Sequence, residues 1–102
     1  MSERVKPADC RTMAEVRHGI DRLDERIVAL VAERFRYMEA AARIKPERHL
    51  VRDEARKAEV LANVGAAADR EGAPRERVVQ LYEALIESSI AFESESFNRL
   101  RR

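Results

Sequence analysis

The sequence has one cysteine, no tryptophan, three glycines and three prolines, and each scarcity excludes something. A lone Cys10 permits neither an intramolecular disulfide nor a thiolate zinc cluster, and His18 and His49 lack metal-ligand spacing. Cys10 is therefore read as incidental. Few turn formers and few β-branched clusters, beside 38% charged and 45% hydrophobic residues, argue against a sheet and for an all-α protein. The formal net charge of +1 leaves no overall basic field, so neither nucleic acid nor an anionic membrane is expected as a partner. The opening MSERVKPADCRTM contains no apolar signal core and no window approaches a membrane span, so a cytoplasmic location is expected.

With 102 residues the expectation is a single domain, 1–102, of three helices and a small core. Thr12 followed by Glu15 forms a capping box, which predicts a helix beginning at Met13. Met13, Val16, Ile20, Leu23, Ile27, Leu30, Arg34, Tyr37, Ala41 and Ile44 then step by three and four, a continuous helical seam. Pro46 disfavours helical backbone at Lys45, so this first helix spans 13–45, about 50 Å at 1.5 Å per residue. Residues 46–52 read as a loop. Asp53 suits the N-cap of a second helix over 54–70, with Val60, Leu61, Val64, Ala67 and Ala68 inward. EGAP at 71–74 ends it, and Pro74 suits the first turn of a third helix over 74–100, whose seam is Val79, Tyr82, Ile86, Ile90, Glu93, Phe97 and Leu100. A first helix this long cannot be covered by two partners from so short a chain, which predicts an intertwined homodimer.

Two charged residues interrupt the apolar seams: Arg34 in the first and Glu93 in the third. Arg34 and Lys45 are eleven residues apart, so on an ideal helix they point within about 20° of each other, about 16 Å apart along the axis. Arg17 is rotated about 100° from Arg34 and faces a different space. Arg56 sits in the first turn of the second helix, where the dipole mildly disfavours a cation. Arg17, Arg34, Lys45 and Arg56 would suit a small polycarboxylate if they converged. Spacing alone fits a buried Arg34–Glu93 ion pair slightly better, and fits Arg17 and Arg56 as solvated or capping side chains.

The stretch "EVRHGIDRLDERIVALVAERFRYMEAAARIK", continued by "VRDEARKAEVL" and "LYEALIESSIAFES", resembles the all-helical chorismate mutases and their relatives, the isochorismate-pyruvate lyases. The likeness extends over roughly residues 13–97. It implies an intertwined helical dimer with two equivalent sites, each completed by Arg17 of the other chain. It further implies that Arg34 and that Arg17 grip substrate carboxylates and that Lys45 binds a carboxylate and the ether oxygen. Arg56 would border the pocket near Asp53, and Ser89 would lie near a carboxylate. The implied reaction is the Claisen rearrangement of chorismate to prephenate, which needs no nucleophile, metal or cofactor.

The sequence departs from that pattern twice. Many relatives have a glutamine where this chain has Glu93, and only a protonated carboxyl can donate a hydrogen bond there, so activity is expected to be greatest at acidic pH. Lys57 stands where well-known mutases tend to have a glutamate that receives the ring hydroxyl. The lead-in "KPADCRTMAEVRHGIDRLD" and the short spacing from Lys45 to Arg56 resemble the lyases, whereas "VRDEAR" and "IESS" resemble the mutases. Mutase ranks first and lyase second. A non-catalytic helical dimerisation module, for which the Ile20, Leu23, Ile27 and Leu30 seam suffices, is the alternative from another class.

Overall fold

The starts of the first two long helices are set by side chains that satisfy terminal backbone groups. The Glu15 amide donates to Thr12 Oγ1 at 3.2 Å, and Glu15 Oε1 accepts from the amides of Thr12 at 3.2 Å and Arg11 at 2.8 Å. This reciprocal cap starts helix α1, Met13–Ile44. Asp53 Oδ1 accepts from the Arg56 amide at 3.0 Å and starts α2, Glu54–Glu71. Gly72, at φ 72°, closes α2 in the left-handed conformation that a residue without Cβ adopts at low cost. Pro74 precedes α3, Arg75–Leu100. The computed structural model describes residues 4–102; among them there is no strand, and the remaining regular structure is a 3-10 turn at Pro7–Asp9 and another at Arg48–Leu50. The all-helical, three-helix expectation holds. The loop expected at 46–52 contains the second of these turns.

By its contacts the chain divides into two compact units, the first ending at Arg34 and the second running from Phe35 to Arg102. In the first, the lead-in lies beside α1: a Cβ on Gly19 would sit 4.0 Å from Arg4 Cβ and from the Val5 carbonyl, ordinary contact. Cys10 is half-buried, with Sγ 4.0 Å from the Val5 carbonyl. The apolar seam of α1 remains exposed here, Ile20 by 49%, Ile27 by 53% and Leu30 by 63%.

In the second unit α2 packs on α3, and a small core gathers Ala42, Val51 and Phe97, with Ile90 against it. The buried positions of α3 are Ile86, Ser89, Glu93, Ser96 and Phe97, one helical stripe that includes three polar residues. Phe35 and Phe92 meet edge to face at 4.9 Å. The inward residues expected on α2 are half-buried or buried, and Gly65 joins Ala68 among the buried ones. Leu100 is exposed, contrary to its expected place on the α3 seam, because the core ends one turn earlier at Phe97.

Candidate functional site

Lys45 stands at the C-terminal end of α1, its amide still bonded to the Ala41 carbonyl at 2.9 Å. From there its Nζ donates to Glu93 Oε2 at 2.7 Å. The Glu93 side chain is only 5% exposed, while that of Lys45 is 29% exposed. The arrangement is asymmetric: the carboxylate is sealed in the α3 stripe and the lysine side chain is partly exposed. A buried carboxylate without a partner is costly, so this pairing lets Glu93 occupy an apolar seam at all. An ammonium carries three donors, and only part of that capacity is used by Glu93. The remaining donors suit an incoming anion.

Ser89 lies one turn before Glu93 on the same buried stripe, its Oγ donating to the Leu85 carbonyl at 2.7 Å. Asp53 is the α2 N-cap, its carboxylate held by the Arg56 amide. The Arg56 guanidinium forms an exposed ion pair with Glu59, one turn along α2. Its placement therefore fits the capping-turn reading as well as the site reading. Arg17 is exposed and Arg34 half-buried, both on the part of α1 that belongs to the first unit. Of the residues singled out from sequence, Lys45 and Glu93 are joined directly, and Asp53 and Arg56 meet through the cap.

A second polar cluster holds the start of α2 against α3. Arg52 Nη2 donates to Glu87 Oε1 at 2.6 Å and Nη1 to Glu87 Oε2 at 3.2 Å and to Glu54 at 2.9 Å. Lys57 Nζ lies 2.9 Å from Glu87 Oε2 and 3.1 Å from Glu83 Oε2. Hydrogen bonds from Arg52 and then Lys57 hold the Glu87 carboxyl down at about 2, against an ordinary value of 4.5. Bonds to Glu87 and then Glu83 push the Lys57 ammonium up. Sequence reasoning marked Lys57 as a departure but missed its partners. The available signal was the pair of carboxylates, Glu83 and Glu87, four apart on one face of α3.

Among the described residues no three His, Cys, Asp or Glu side chains group as a metal site, and no helix is long and apolar enough to cross a membrane. Residues 16–94 match the family model for chorismate mutase type II. No curated protein matches the chain.

Proposed function

The chain belongs to the chorismate mutase type II family, and we propose that it catalyses the Claisen rearrangement of chorismate to prephenate. The observation that carries the reading is the Lys45–Glu93 pair, a partly exposed lysine beside a buried carboxyl within the matched region. In this rearrangement the carbon–oxygen bond of the enolpyruvyl ether breaks ahead of carbon–carbon bond formation, and negative charge builds on the ether oxygen. A donor aimed at that oxygen binds the transition state more strongly than the substrate, which is how catalysis proceeds without a covalent step. Lys45 is the first such donor and also binds a carboxylate.

Glu93 is the second donor, in its protonated form. Only the protonated carboxyl carries an O–H, so the donor role belongs to that form. Arg34 and the Arg17 of a second copy bind the substrate carboxylates, Ser89 lies near one of them, and Arg56 with Asp53 borders the substrate. Lys57 is compensated by Glu83 and Glu87, so its charge adds little to the substrate-binding cations.

We further propose that the working form is a homodimer. The support is the exposed apolar seam of α1 in the first unit, where Ile20, Leu23, Ile27 and Leu30 are all at least 40% exposed. The second reading, isochorismate-pyruvate lyase, is supported by the lead-in "KPADCRTMAEVRHGIDRLD" and the short spacing from Lys45 to Arg56. Turnover of purified protein on chorismate and isochorismate, side by side, tests both. Prephenate from chorismate is the expected result. Reaction of isochorismate alone would establish the lyase, and reaction of neither would leave a helical dimerisation module.

A further inference from the structure

Helix α1 ends with a defect in its hydrogen-bond ladder. The carbonyl of Ala42 would normally accept from the amide of residue 46, but residue 46 is a proline and has none. Arg101, in the turn after α3, supplies the missing donor: its Nη1 donates to the Ala42 carbonyl at 2.9 Å. Its Nη2 donates to the Lys45 carbonyl at 2.7 Å and reaches the Arg43 carbonyl at 3.5 Å. The guanidinium carbon lies 3.6 Å from the centre of the Phe97 ring, so the fork is also stacked. A cation at a helix C-terminus is favoured by the dipole, and a planar fork can serve several carbonyls at once. Phe97 is one turn beyond Glu93 on the buried stripe of α3. Arg101 thus ties the backbone of Lys45 to the helix that carries its carboxylate partner.

We propose that Arg101 is a positioning residue for Lys45, fixing the backbone from which the ammonium reaches Glu93. The proposal rests on the reading that Lys45 donates to the substrate. A loosened helix end would let the ammonium wander, and misplacement by about 1 Å is enough to slow an oriented reaction severalfold or more. Nothing in the helical periodicity marks Arg101, because it acts through carbonyls rather than through a seam.

The test uses Arg101→Gln and Arg101→Lys with two readouts. One is kcat and KM on chorismate; the other is the Lys45 ammonium cross-peak in a proton–nitrogen NMR spectrum, assigned by its absence in Lys45→Arg. For Arg101→Gln the expected result is unchanged helical circular dichroism, a roughly tenfold fall in kcat/KM carried mainly by kcat, and a broadened or lost Lys45 signal. Arg101→Lys, which keeps the charge without the fork, should fall between. Wild-type kinetics in both variants would overturn the proposal, as would a slowed reaction beside an unchanged Lys45 signal. Should Arg101→Gln fail to fold, Arg101→Lys decides by the same readouts: intermediate values support, wild-type values overturn. If the unsubstituted protein does not turn over chorismate, the functional reading fails separately. The ammonium signal then decides alone, its loss on substitution supporting the positioning role and its persistence overturning it.

Discussion

Lys45 and Glu93 lie 48 positions apart in the chain and meet at 2.7 Å, with the carboxylate sealed in the α3 stripe and the lysine side chain partly exposed. Removing the ammonium strands a buried charge, whereas removing the carboxylate leaves only a partly exposed cation. Lys45→Ala is therefore expected to destabilise the fold by about 1–3 kcal/mol. Glu93→Gln, which keeps the shape and retains a polar partner, is expected to cost less. Urea denaturation of the two variants beside wild type measures the order, and a cheaper Lys45→Ala would contradict the asymmetry. Turnover on chorismate should drop at least a hundredfold in Lys45→Ala, the scale for losing one transition-state donor.

The same pair carries the proposed second donor. A glutamine at position 93 keeps the shape and carries N–H donors, whereas a carboxylate can only accept. Under the proposed reading Glu93→Gln should keep or raise turnover on chorismate near neutral pH. A marked loss of turnover beside unchanged helical circular dichroism would remove position 93 from the donor role.

Much of the architecture was legible because its signals are local. Thr12 with Glu15, Asp53 and Pro46 mark helix ends through backbone groups only a few residues away, and α1 begins and ends within a residue of where they point. Pairing across the fold was less legible. Arg34 and Lys45 both suit a buried carboxylate, and periodicity cannot say which of them meets Glu93. The bonds from Lys57 and Arg52 to α3, and from Arg101 to the end of α1, depend on long side chains whose reach does not follow helical spacing. The roles proposed for Arg17 and Arg34 rest on the family resemblance, not on contacts in this structure.

Glu87 provides a prediction about acid stability. Its carboxyl is held near 2 in the folded chain, chiefly by Arg52, against 4.5 as the ordinary value. A folded value below the unfolded one means that the carboxylate stabilises the fold fully above about pH 4.5, and that this contribution fades as pH falls toward 2. The stability gap between wild type and Glu87→Gln should thus be constant near neutrality and narrow between about pH 4.5 and 2. The gap is read from urea midpoints across that range, and one that widened on acidification would have the wrong sign. Lys57, pushed up by the same carboxylates, adds stability that is lost only above its ordinary value of 10.5.

Gly65 lies inside α2, where alanine is favoured by about 0.5–1 kcal/mol. A Cβ there would fall 2.8 Å from Arg75 Nη2 and 2.9 Å from its Cζ, too close unless Arg75 moves. Those atoms are the far end of a flexible side chain that is 51% exposed, and the contact at stake is an ion pair with Asp69 of the kind usually worth under about 1 kcal/mol. Gly65→Ala is accordingly expected to stabilise the fold by up to about 0.5 kcal/mol, with Arg75 swung outward. Thermal or urea unfolding measures it, and a loss exceeding about 1 kcal/mol would mean that Arg75 cannot yield.

The exposed seam of α1 gives the test of the dimer. Ile27 is 53% exposed and Leu30 63% exposed, one helical turn apart in the first unit. If a second copy covers this face, a charge at Ile27 must be buried against apolar surface, which is costly without a partner. Ile27→Glu should then shift the protein toward monomer in light scattering behind size-exclusion chromatography. Because the proposed site draws Arg17 from the second copy, turnover should fall with the dimer fraction and recover at higher protein concentration. A fully dimeric Ile27→Glu would place the interface elsewhere. A monomeric variant with wild-type turnover would remove Arg17 of the second copy from the site.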